Sequence, residues 1–196
     1  MQERSQTRSN RERSDATQDA LISAARALFV EKGYAATSTP QIVAAANITR
    51  GALYHHFTDK RALFRAVLER EARAVAEAIE STDPRLSPHD ALMAGSDAYL
   101  DAMAVKGRTR LLLVEGPVVL GGSELGALDE AHAARTLREG LEAAMNESGG
   151  TGLSVTVLAS LVAAMFDRAA ISIEAGAEAQ VFRSTIGAVI ERLLKA

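Results

Sequence analysis

Apolar residues recur along this chain at spacings of three and four, and period-two runs of β-branched residues are almost absent. That pattern predicts helices throughout. Residues 17–32 place Leu21, Ile22, Ala25, Leu28 and Phe29 on one face, an amphipathic helix, and Gly33 after Glu31-Lys32 predicts its end. A second helix is predicted to begin near Ser38 or Thr39. Pro40 suits its first turn, Ser38 and Gln41 have capping-box spacing, and Ile42, Val43 and Ala46 supply its buried face. Asn47 falls where the chain must stop and turn, and asparagine tolerates the left-handed conformation. Ile48 buries the turn, and Thr49 is a natural N-cap for a third helix over residues 50–57, with Leu53 and Phe57 facing inward. Two short helices joined by a three-residue turn make a helix-turn-helix unit.

Downstream, residues 59–81 read as a long helix with Asp59 at its cap, ended by Asp83-Pro84. Ser87-Pro88 opens a helix to about residue 105, in which Leu92, Met93, Ser96, Tyr99, Leu100 and Met103 keep helical spacing. Residues 109–114 form a short apolar helix, interrupted by Glu115-Gly116-Pro117. One helix is then expected over residues 123–146, a flexible connection over 148–152, and two last helices over 154–175 and 177–195. The first of this pair is apolar on two sides and the second carries a broad stripe. A body this small cannot easily hide both, so the spare surface is expected to close against a second copy. The residues expected there are Val157, Leu161, Ala164, Phe182, Ile186, Val189, Ile190 and Leu193. The expected fold is all-α with about nine helices. A flexible basic arm (residues 1–14) precedes a three-helix domain that carries the helix-turn-helix unit (15–62) and a larger helical domain that includes the pairing surface (63–196).

Composition narrows the function. The 196 residues include no cysteine, which excludes disulfides and thiolate metal sites. The N-terminus has no apolar signal-peptide region. The longest uncharged apolar stretch, residues 153–166, is shorter than the roughly 20 residues that span a bilayer, so a soluble, cytoplasmic chain without a membrane partner is expected. The net charge is −3, but residues 1–61 hold nine basic and six acidic residues, while the remainder hold 13 and 19. A positive head on a negative body suits docking on phosphate through one end. Four arginines in residues 1–14, Arg4, Arg8, Arg11 and Arg13, read either as an arm reaching phosphate or the minor groove or as a solvated tail.

In a helix-turn-helix unit the second helix enters the major groove with its N-terminal residues nearest the bases. Those are Thr49, Arg50, Gly51 and Ala52. Arginine can bond guanine O6 and N7 with both prongs, and an alanine methyl suits a thymine methyl. Gly51 and Ala52 leave room for close approach. Tyr54, His55 and His56 lie on the exposed side, within reach of phosphates or base edges. Lys60 stands at a helix N-terminus, against the dipole, and a phosphate would explain it.

The run Gly33-Tyr34, Thr37, Ile42, Ala45-Ala46, Ile48, Leu53-Tyr54, Phe57 and Lys60 closely resembles the DNA-binding domain of TetR/AcrR-type transcriptional regulators. The resemblance covers roughly residues 15–66 without a gap and departs at Asn47, where the family usually has glycine. It implies that Thr37 or Ser38, Thr49, Tyr54, His55 and Lys60 hold phosphates, and that Arg50, Gly51, Ala52 and His56 face bases. It also implies dimerisation through the last two helices and a small-molecule effector bound in the body. The segment RLLLVEGPVVLG (residues 110–121) looks like a stretch of many ligand-binding domains in the family, with less specificity.

Within the body, Met93, Tyr99, Met103, Glu115, Met165, Phe166 and Arg168 are the candidate pocket residues, methionine because it adapts to irregular space and Glu115 and Arg168 because they could meet a polar ligand group. Asp167-Arg168 reads alternatively as a structural ion pair. His55 and His56 are adjacent and point about 100 degrees apart, so they cannot chelate one ion, and no metal or cofactor is expected. The glycine-rich segments lack the context of a nucleotide loop, and no nucleophile–base–orienter set is present, so no enzyme is expected. The reading is a dimeric, ligand-responsive regulator, a repressor released from a palindromic double-stranded operator by a small molecule. Its alternatives are a regulator whose body only dimerises or binds a protein partner, and a small helical enzyme or carrier.

Overall fold

The computed structural model describes residues 2–149 and 152–195, with side chains from residue 11 onward. Ten α-helices and one π-helical segment account for the secondary structure, with no strand among the described residues. The chain divides into two compact units, residues 1–69 and 70–196. The division falls inside the fourth helix, whereas the patterning places the boundary at its first turn.

The first unit holds α1 (Gln2–Lys32), α2 (Thr39–Ala46), α3 (Arg50–His56) and the start of α4 (Lys60–Glu80). Leu21, Ala25, Phe29, Ile42, Leu53, Leu63, Phe64, Val67 and Leu68 are fully buried, so α1, α2, α3 and the start of α4 close on one small core. Each such side chain gains about 1.5–3 kcal/mol on leaving water. Phe29 and Phe64 meet edge to face at 5.1 Å, and Tyr34 lies 4.9 Å from Phe64.

The sequence foretells how these helices end. Gly33 adopts φ 83° and donates to the Phe29 carbonyl at 2.8 Å. Asn47 adopts φ 53°, ψ 44°, the left-handed turn expected of it. Thr49 caps α3 by accepting from the Ala52 N–H at 3.2 Å, and Asp59 caps α4 by accepting from the Ala62 N–H at 2.7 Å. The α1 backbone departs from expectation. It is helical from Gln2, not from residue 17, so the stretch expected as a flexible arm continues the helix. No glycine or proline interrupts residues 2–32, and Glu, Gln and Arg all favour helix. The side chains of Arg4 and Arg8 lie outside the described residues.

The second unit comprises the rest of α4, α5 (Pro88–Met103), the π segment Arg110–Glu115, α6 (Gly116–Leu120), α7 (Gly122–Glu130), α8 (Ala133–Glu147), α9 (Val155–Glu174) and α10 (Ala179–Leu194). Leu92, Leu100, Leu141, Leu158, Val162, Phe166, Ile186, Ile190 and Leu194 form the core shared by α5, α8, α9 and α10.

Two local expectations are corrected here. The segment expected as one helix over 123–146 is two, because His132 leaves helical geometry at φ −131°, ψ −106°. The short helix expected over 109–114 is π-helical and runs directly into α6. Pro117 has no N–H to offer the preceding turn, and the turn widens so that the Gly116 N–H reaches back to the Leu111 carbonyl. By length and composition α9 is apolar enough to cross a membrane. It carries Asp167 and Arg168, and packs Leu158, Val162 and Phe166 into the unit's core.

Candidate functional site

The α3 helix presents an open polar face. Thr49, Arg50, Gly51, Tyr54 and His55 are exposed, while Ala52 and His56 are half-buried. Buried Leu53 anchors the opposite face. The Arg50 guanidinium lies 5.5 Å from the centroid of the Tyr54 ring. The Tyr54 hydroxyl is held below the ordinary phenol range, first by a hydrogen bond with Thr39 and then by one with Arg50. The sequence did not single out Thr39. Its placement in the first turn of α2, facing the next helix, was its only signal. His55 and His56 meet edge to face at 5.3 Å. A methyl added at Gly51 would meet nothing within 4 Å, so the fold itself sets no steric demand for glycine there.

Two expected phosphate ligands have internal duties. Thr37 is 1% exposed, and its hydroxyl donates to the Gly33 carbonyl at 2.8 Å. It locks the end of α1 and is removed from the surface, which corrects its expected role. The Lys60 ammonium donates to the carbonyls of Tyr34 at 2.8 Å and Thr37 at 2.9 Å, and lies 4.1 Å from the Tyr34 ring centroid. These carbonyls, not an outside phosphate, account for a cation at that helix start. Ser38 remains exposed. The Gln41 side chain accepts from its N–H at 2.9 Å and from its hydroxyl at 3.1 Å, the Gln41 half of the expected capping box.

The second unit holds a partly open cavity of about 470 Å³, within the roughly 300–1,000 Å³ of small-molecule sites. Of the candidate pocket residues, Tyr99, Met103 and Phe166 line it. Met93, Glu115, Met165 and Arg168 do not. Met93 and Met165 pack against the core from outside, Glu115 pairs with Arg110 at 2.5 Å, and Arg168 faces solvent. Sequence reasoning missed the cavity's polar chemistry, which lies in Asp129 and Asp167. Asp167 accepts from the Tyr99 hydroxyl at 2.8 Å rather than pairing with its neighbour Arg168. Burial raises the Asp167 carboxyl, and the Tyr99 bond pulls it partly back. Burial, then the Asp167 charge, drives the Tyr99 phenol upward. Asp129 keeps open surface and also lines the cavity. Surrounding protein, then Asp167 and Glu130, pushes it up to about 6, against a bond from the Ala134 N–H. An acid within the apolar run of α9 was the available signal for Asp167.

Of the residues expected at a dimer face, Val157 and Leu161 are 58% and 65% exposed, and Ala164 is exposed beside them. Phe182, Val189 and Leu193 are half-buried. Ile186 and Ile190 are 3% and 0% exposed within a single chain and are corrected to core. The paired apolar positions on α10 left the choice of face ambiguous, and packing against α5 and α9 resolves it. Val181, not expected, is 54% exposed. Among the described residues no three histidine or acidic side chains converge as metal ligands would.

Comparison with known proteins agrees with this architecture. Residues 21–67 match the profile of bacterial regulatory proteins of the tetR family, and residues 89–196 match the tetracyclin repressor-like C-terminal domain. The chain is 32% identical over 109 residues to the transposon Tn10 TetC protein of Escherichia coli, covering 56% of this chain and 55% of that one. The matched stretch thus spans about half the length of that curated relative, and less of others, such as 36% of the A-factor receptor protein of Streptomyces griseus. A TetR-family transcriptional regulator from Pectobacterium atrosepticum superposes with a TM-score of 0.69 at 29% identity, covering 94% of this chain and 95% of that one. RolR, solved with its ligand resorcinol, shares the fold at 18% identity and a TM-score of 0.68, covering 93% and 95%. With family profiles matched in both halves, the chain belongs to the tetR family of bacterial regulatory proteins.

Proposed function

We propose that this regulator is a homodimeric repressor that leaves a palindromic operator when a small molecule fills the cavity of its second unit. One observation carries the DNA half of this reading. Arg50, Gly51, Tyr54 and His55 stand exposed on a short helix whose other face is fixed by Leu53. Arg50 reads a base edge, Gly51 and Ala52 allow close approach, and Thr49, Tyr54 and His55 hold the flanking phosphates. Ser38 and His56 lie at the edge of this surface. Residues 15–62 serve as the DNA-binding domain, and residues 63–196 bind the effector and dimerise. Such a protein works in the cytoplasm, where its operator is.

The cavity supports the effector half, and RolR, a neighbour of the same fold, holds resorcinol. An effector that binds better to the state with low operator affinity shifts the population by that difference, about 1–3 kcal/mol in allosteric systems. Val157, Leu161 and Ala164 offer a second copy an apolar face on α9, with Phe182, Val189 and Leu193 beside it on α10.

The test is operator binding. Genomic fragments selected on the protein should yield a two-fold symmetric site whose affinity falls steeply with salt. Arg50→Ala should cost about 1–3 kcal/mol and relax preference at one base position. Sedimentation should give a dimer that Leu161→Glu splits. Failure to select any symmetric site with salt-dependent affinity would refute the DNA reading, and a monomer bound to a single half-site would refute the dimer.

A further inference from the structure

The cavity has a charge balance that its apolar walls do not require. Four carboxylates line it, Glu80, Asp129, Glu139 and Asp167, and no lysine, arginine or histidine does. Two of the four are accounted for at its edge, because Arg135 bonds Glu80 at 2.7 Å and Glu139 at 3.1 Å. The other two meet only neutral donors. Asp167 takes the Tyr99 hydroxyl, and Asp129 takes the Ala134 N–H. Among the described residues neither forms an ion pair.

The Asp167 charge disfavours that of Asp129, and both stand in a wall shared with Val75, Leu112, Leu128 and Leu137, which burdens the folded chain. No bond within the chain needs both of them. Tyr99 and Phe166, whose rings lie 5.3 Å apart and tilted by 59°, line the same cavity. Aromatic faces beside unpaired carboxylates are what an apolar cation requires, since the rings attract positive charge and the acids neutralise it. An anionic effector would meet repulsion and no donor of positive charge.

We infer that the cavity takes an apolar organic cation, with Asp167 and Asp129 as its counter-charge and the rings of Tyr99 and Phe166 as its flanking surfaces. The inference rests on the effector reading above and names the chemical class of the effector.

Calorimetry on the full chain tests it with four probes. Tetraphenylphosphonium and the smaller benzyltrimethylammonium are the cations. Tetraphenylborate is an anion of the first one's shape, and neopentylbenzene is the neutral carbon match of the second. At least one cation should bind, about tenfold or more tighter than its match, and Asp167→Asn and Asp129→Asn should each weaken it by about tenfold. Asparagine keeps the size of the side chain and still accepts the Tyr99 hydroxyl, and thermal melts of both variants check that they fold. Failure of both cations to bind, binding of a match as tightly as its cation, or unchanged cation affinity in folded Asn variants would each overturn the inference. The same samples, titrated onto operator DNA, separate the two readings. A neutral molecule that releases the operator while no cation binds leaves the effector reading standing and this one lost. A cation that binds in an Asp-dependent way without changing operator affinity does the reverse.

Discussion

The ammonium of Lys60 is wedged against Tyr34, 4.1 Å from the ring centroid and 2.8 Å from the same residue's carbonyl oxygen, with the Thr37 carbonyl at 2.9 Å. One side chain thereby ties the start of α4 to the loop after α1. Hydrogen bonds to a charged donor contribute about 1.5–3 kcal/mol, and the ring contact adds about 0.5–1 kcal/mol. Lys60→Ala is therefore expected to lower the stability of the first unit by roughly 2 kcal/mol, read by urea unfolding. A variant as stable as the parent would show that these bonds contribute nothing net.

Gly51 gives the opposite sign in the free protein. Alanine is better than glycine in a helix by about 0.8–1 kcal/mol, and the added methyl meets no atom within 4 Å. Gly51→Ala should therefore raise the midpoint of unfolding while weakening the operator complex. Unfolding curves and operator titration on the same preparation check both halves. A chain that is stabilised and binds DNA as before would place Gly51 away from the bases.

These two residues mark what the sequence discloses. Glycine, asparagine and capping residues act locally, so Gly33, Asn47, Thr49 and Asp59 foretold the ends of α1 to α4. Periodicity foretold the core face of α3. Lys60 was misread because its partners, the carbonyls of Tyr34 and Thr37, lie 26 and 23 positions away, and a lysine at a helix start carries the same local signature whatever satisfies it. The cavity was half legible for the same reason. Tyr99 keeps helical spacing and Phe166 ends an apolar stretch, but Asp167 meets its partner, the Tyr99 hydroxyl, 68 positions away. On α10, adjacent apolar pairs fit either face, and only packing shows that Ile186 and Ile190 turn inward.

A second long-range pair, Glu71 and Arg108, is a buried ion pair, at 2.9 Å with side chains 5% and 11% exposed. Arg108 also donates to the Ala102 carbonyl at 2.7 Å. Arg108→Ala takes a charge-assisted bond from a Glu71 that stays buried and should cost about 1.5–3 kcal/mol, whereas replacing both partners by methionine should cost less. Chemical denaturation of the single and double variants decides this. A double variant as unstable as the single would mean that the pair is more than its desolvation requires.

The Asp129 carboxyl, pushed up to about 6 in the folded chain by surrounding protein, then Asp167 and Glu130, makes stability depend on pH. The sign follows from proton counts. Between the ordinary carboxylate range and about pH 6 the folded chain holds a proton that the unfolded chain has lost, so stability falls as pH rises through this window and the loss is complete above it. Asp167, raised by burial, acts in the same direction. The charged groups around the site are Glu80 on α4, Glu130 on α7, Arg135 and Glu139 on α8, and Asp167 on α9, with the Tyr99 hydroxyl on α5. Asp129→Asn removes one contributor and leaves the others. Because Asp129 keeps open surface, solvent screening limits the effect. The variant should melt close to the parent near pH 4 and above it by about 1–3 °C at pH 8, with a shallower decline between. Thermal melts across that range measure it. Parallel curves for parent and variant would mean that the Asp129 carboxylate is as comfortable in the cavity wall as in water, and a variant that melts lower at pH 8 would mean that the charge stabilises the fold.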